Sequence, residues 1–83
     1  MNKHPEMGRE LLAHELVEKT VVVVGREDRP HCITAWVKLV DDEVVVFLAD
    51  EIKVVLITMR RPDGTMTDDT GKRILVWEYL GTV

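Results

Sequence analysis

The stretch that decides the fold runs from the second predicted strand to the fourth: His31-Cys-Ile-Thr-Ala-Trp-Val-Lys-Leu-Val40, Asp41-Asp42, Glu43-Val-Val-Val-Phe-Leu-Ala49, Asp50-Glu51 and Ile52-Lys-Val-Val-Leu-Ile-Thr-Met59. β-Branched and aromatic residues dominate each run, and short acidic pairs separate them, as in strands joined by tight antiparallel hairpins. If both acidic pairs are two-residue loops, directly opposed residues share a face. One face then carries Ile33, Ala35, Val37, Leu39, Val44, Val46, Leu48, Val55 and Ile57. The other carries Trp36, Val45, Phe47, Val54 and Leu56, edged by Thr34, Lys38 and Thr58. A slip of one residue exchanges the two faces but makes neither polar. An antiparallel sheet with one wet face alternates apolar and polar residues, and this one does not. Both faces need cover.

Working outward, Thr20-Val-Val-Val-Val24 is a further strand, ended by Gly25 and a charged loop to Pro30. Arg60 to Gly71 is a long polar loop with Pro62, Gly64 and Gly71, and Lys72 to Leu80 forms the last strand. Residues 1–19 read as a helix: Pro5 suits a first turn, Glu6 and Glu10 suit the positive end of the helix dipole, and Leu12, Ala13, Leu16 and Val17 share one arc. The expected fold is therefore mainly β (α+β). It is a single domain over 1–83, with a helical segment at 1–19 and a five-stranded, strongly bent antiparallel sheet or small barrel at 20–83.

That order of elements is similar to the Sm-like small barrel, whose members form rings by strand pairing between subunits and in many cases bind RNA on a face of the ring. The resemblance spans the whole chain as element order. The glycine and Asn/Asp pattern of the early strands and the hydrophobic–basic–Gly signature near the fourth and fifth are not present, so it carries over no binding residues.

Size and composition narrow the function classes. The chain has 83 residues, of which 14 are Val, 8 Leu and 3 Ala, and a domain of this mass buries only about 60% of its unfolded surface. That leaves no room for a substrate domain beside a cofactor domain. Eleven Lys and Arg against fifteen Asp and Glu give a net charge of −4, so no overall cationic field draws in phosphate backbones. A single cysteine, Cys32, cannot make an internal disulfide, which points to the reducing cytoplasm. No signal-peptide pattern opens the chain, and its apolar runs fall far short of a membrane span.

The chemistry-bearing residues do not assemble into a recognisable site. His14-Glu15-Leu16-Val17-Glu18 lacks the second histidine of a zinc-protease helix, and nothing in the spacing of His4, His14, His31 and Cys32 demands a metal. His31 and Cys32 are strand neighbours whose side chains diverge, so they cannot pair as nucleophile and base. Gly71-Lys72 lacks the glycine spacing, hydroxyl residue and following helix of a phosphate loop, and Asp63, Asp68 and Asp69 lack the ligand pattern of a calcium loop. Glu78, between Trp77 and Tyr79, is the one carboxylate expected to be buried, with Lys38 as its natural partner. No cofactor, metal or catalytic residue is assigned, and the chain is read as a non-enzyme.

Two readings of function remain in front. The first is a non-catalytic, self-associating protein-interaction module whose contacts are made by Trp36, Phe47, Val54 and Leu56 on the second sheet face and by Leu12 and Leu16 on the helix. The partner is another copy or, in a variant of this reading, a different protein. The open edges expected at Val21–Val24 and Leu75–Tyr79 favour assembly too. The second is an RNA- or single-stranded DNA-binding small barrel using Arg60, Arg61, Lys72 and Arg73, with Trp77 or Tyr79 as a stacking face. Four acidic groups balance the four cations within residues 60–83, which disfavours it. A small enzyme at a subunit interface around Glu78 and His31 is a third.

Overall fold

A computed structural model describes residues 5–40, 44–49 and 55–82. Among the described residues, seven strands form one antiparallel sheet: β1 (Pro5–Glu10), β2 (Val21–Arg26), β3 (Arg29–Val40), β4 (Val44–Ala49), β5 (Val55–Arg60), β6 (Met66–Asp68) and β7 (Arg73–Thr82). The order across the sheet is β1-β7-β2-β3-β4-β5-β6. β6 also pairs with the start of β7, through Met66↔Ile74 and Thr67↔Arg73. The sheet is thus rolled until its last strand meets β7. This seam is only two residue pairs long, against five between β2 and β7, so the sheet is joined at one corner and is not a closed barrel.

The helix expected over residues 1–19 is not there among the described residues. Residues 5–10 are β1, paired with β7, and the only helical turn is a 3-10 turn at Ala13–Glu15. The physical reason is competition. Gly8 weakens a short helix whose stability in water is marginal. β7, already paired with β2 on one side, offers a ladder of backbone donors and acceptors on the other. Gly8 also permits the close approach. A Cβ there would lie 2.7 Å from the Glu78 Oε1 and 2.9 Å from the Glu78 Cβ. The element order behind the likeness to the Sm-like barrel is therefore not that of the structure.

The strands expected from the valine-rich runs are present, but their register differs from two-residue loops. Val40 pairs with Val44 and Val37 with Phe47, so three residues separate the paired positions rather than two. The one-residue slip exchanges the faces. Phe47 joins Ala35, Val37, Val45, Val22, Val24 and Val76 in the core, closed by Leu11, Ala13, Leu16, Met66 and Ile74. Trp36, by contrast, lies on the outer face in a row with Val21 and Leu48.

The expected sticky edges are absent as well. β2 is paired on both sides, with β3 and β7, and β7 is paired with β2 on one side and with β6 and then β1 on the other. The outermost strand beyond β7 is β1, whose irregular register and charged residues Glu6, Arg9 and Glu10 suit an edge protected against pairing.

Phe47 is fully buried, so truncating it removes apolar burial and leaves a cavity. Phe47→Ala is expected to lower unfolding stability by about 3–5 kcal/mol. Trp36→Ala, on the outer face, is expected to cost far less in dilute protein. Denaturant titration of both variants checks the face assignment.

Candidate functional surfaces

The outer face of β4, β3, β2 and β7 is the first candidate. Register sets its rows: Leu48, Trp36 and Val21 in one, Thr34, Val23 and Trp77 in the next. Trp36 is 43% exposed. Val23 and Val46 are buried although neither belongs to the core cluster. They point outward, so the larger side chains beside them shield them. Trp77 is one of these: its ring would come within 3.3 Å of a Cβ at Gly25, with the half-exposed Cys32 Sγ within 3.1 Å. Lys38, Thr34 and Tyr79 add the polar atoms of an otherwise apolar surface.

The other expected contact residues are distributed differently. Phe47 is inside, and Leu16 is buried in the core while Leu12 is half-buried against Gly64. These leucines flank the 3-10 turn, not a helical stripe. Val54 lies outside the described residues, as does the side chain of Leu56, whose backbone pairs with Phe47.

The second candidate is a cleft of about 630 Å³ at the end of the sheet, lined by Glu27, Asp28, Arg61, Asp63, Thr65, Thr67, Gly71, Lys72 and Arg73. The structure brings three of the four expected cations together here. Arg60 belongs to the opposite side of the strand, opposed to the core residue Met66, and its Nε is buried without a hydrogen-bond partner. The cleft is electrostatically balanced. Lys72 Nζ meets Asp28 Oδ2 at 2.8 Å, and Arg73 Nη2 donates to Glu10 Oε2 at 3.2 Å. The Lys72 ammonium holds the Asp28 carboxyl below its usual range. Asp63 is likewise lowered, first by the Thr65 hydroxyl and amide that donate to its Oδ1 and then by Arg61.

Glu78, expected to be the buried carboxylate, is only half-buried, whereas Asp68 is buried, and the partner of Glu78 is on β1 rather than Lys38. Its Oε1 accepts the Arg9 amide at 3.1 Å and stands 4.0 Å from the Arg9 Nε. Arg9 also reaches Glu15, Nη2 to Oε2 at 2.6 Å, while Glu15 Oε1 accepts the Leu12 amide at 2.8 Å. Arg9 thus ties β1 to the 3-10 turn and to β7. No group of His, Cys, Asp and Glu that could hold a metal ion occurs among the described residues, and none of their helices is long and apolar enough to cross a membrane. His4 lies outside the described residues, as does the side chain of His31, so the enzyme reading around Glu78 and His31 gains no geometry.

No protein-family model, curated protein or solved structure matches this chain.

The Arg9 guanidinium and the Leu12 amide lower Glu15 from 4.5 to about 2. A lowered carboxylate contributes stability that is present above its unfolded value and lost as pH falls through the folded one. NMR titration of the Glu15 carboxyl carbon is expected to give a midpoint near about 2, and Arg9→Gln is expected to move it up toward the ordinary glutamate range.

Proposed function

We propose that the chain is a non-catalytic, self-associating module that uses the outer face of β4, β3, β2 and β7 to meet a second copy. The observation that carries this reading is Trp36, a large aromatic left 43% exposed at the centre of a valine-, leucine- and tryptophan-lined face. Aromatic residues at the centre of an apolar patch with a polar rim are the usual anchors of protein interfaces. A face that packs on its own copy doubles each contact about the two-fold axis, so one modest patch serves both partners. With β2 and β7 paired on both sides, the reading rests on the face rather than on strand addition at an open edge.

The nucleic-acid alternative needs unpaired cations, and in the cleft Lys72 and Arg73 already face Asp28 and Glu10. Binding to a labelled single-stranded oligonucleotide is expected to be weak even at low ionic strength. Tight binding that falls steeply as salt rises would favour phosphate contacts instead.

Sedimentation equilibrium and thermal unfolding over a range of concentrations test the proposal. Self-association makes Tm rise with protein concentration. Trp36→Glu is expected to give a folded monomer whose Tm no longer depends on concentration. A wild-type chain that is monomeric throughout, or a Trp36→Glu variant that assembles as before, would overturn the proposal.

A further inference from the structure

The turn that carries β6 into β7 is organised by one carboxylate. Asp68, 3% exposed, closes the turn after β6 by accepting three hydrogen bonds on a single oxygen: Oδ1 receives the Thr70 amide at 2.9 Å, the Thr70 hydroxyl at 2.6 Å and the Lys72 amide at 2.9 Å. The Asp68 amide donates to the Lys72 carbonyl at 2.8 Å, and Gly71, with φ +89°, donates back to the Asp68 carbonyl at 3.1 Å. The second oxygen, Oδ2, is buried with no hydrogen-bond partner and lies 3.8 Å from Arg26 Nη2.

The charges facing this carboxylate come from three elements. β2 contributes Arg26. The turn contributes Lys72, itself paired with Asp28 of the β2–β3 hairpin. β5 contributes Arg60, which sits opposite Met66 and so diagonally beside Asp68 on one face of the β5–β6 pair, with its Nε buried and unpaired. Arg73 is directed away, to Glu10. The surroundings of Asp68 are therefore cationic, and a neutral carboxylic acid there would weaken its accepted hydrogen bonds and remove the charge partner of Arg26.

We propose that residues 66–72 are an acid-released strap: ionised Asp68 clamps β6 onto β7, and protonation of Asp68 opens that corner while the ladder from β7 through β5 stays paired. The seam itself has only two residue pairs to resist opening, whereas β2 is held by five to β7. Elements with few backbone pairs open first. The direction of the switch follows from the hydrogen bonds from Thr70, then Lys72, and from the Arg26 charge, which together lower the Asp68 pKa. The clamp is complete above the ordinary aspartate value and is lost as pH falls through the lowered one.

Amide hydrogen exchange, expressed as protection factors across the acid range, reads this directly. Protection at Asp68, Thr70 and Lys72 is expected to fall by about tenfold or more on acidification, with Val22–Val24 and Val76 still protected. Asp68→Asn is expected to abolish the pH dependence at the seam. Arg26→Gln keeps every hydrogen bond to Oδ1 and is expected to raise the pH at which the seam opens. An unchanged opening pH in Arg26→Gln overturns the proposal, and so does a seam that loses protection only together with Val22–Val24.

Discussion

β7 is the strand on which the rest of the molecule depends. Its backbone is shared among three partners: β2 along Ile74–Glu78, and on the opposite edge β6 at Arg73–Ile74 followed by β1 along Trp77–Thr82. A strand has two hydrogen-bonding edges, so serving three partners forces two of them to divide one edge end to end. That division brings both ends of the chain's strand order to the same place. It rolls the sheet around Phe47, Val37, Val24 and Val76, turns the expected N-terminal helix into β1, and leaves β6 attached by its shortest ladder.

Much of this was legible in the residues. The valine runs at 21–24, 37–40 and 44–46 form strands, and the pattern showed that neither face of those strands is polar. Two features were not legible, each for a physical reason. Which face holds Phe47 depends on whether the loop after Val40 has two or three residues between paired positions, and Asp41-Asp42-Glu43 carries no Asn-Gly signal to settle it. The helix at 1–19 failed because local propensity, a few tenths of a kcal/mol per residue, competes with a partner strand that only the fold supplies. A signal pointing the other way was present in Gly8, the interior helix breaker that proves to lie against Glu78.

The candidate surfaces differ in the same respect. Of the four basic residues at the ends of the 60–73 loop, Arg61, Lys72 and Arg73 line one cleft although β6 separates their strands, and Asp28 and Glu10 reach Lys72 and Arg73 from the β2–β3 hairpin and from β1. Sequence distance hides both pairings. In the sequence Asp68 is one of four acids that balance the cations of residues 60–83, and only the turn at 68–72 shows it buried beneath Thr70 and Lys72. The outer face, in contrast, follows from strand periodicity alone once the register is fixed. Its composition of Trp36, Val21, Val23, Val46, Leu48 and Trp77 explains why so small a chain carries so many valines: one set fills the roll, and the other coats it.

The role proposed for this coating is to meet a second copy. Isotope-filtered NMR on an equimolar mixture of labelled and unlabelled chains tests it most directly, because it records only contacts between different molecules. Intermolecular contacts are expected from the Trp36 ring to the methyl groups of Val21, Val46 and Leu48. A mixture that associates yet shows its intermolecular contacts only at β1 or at the strap would contradict it.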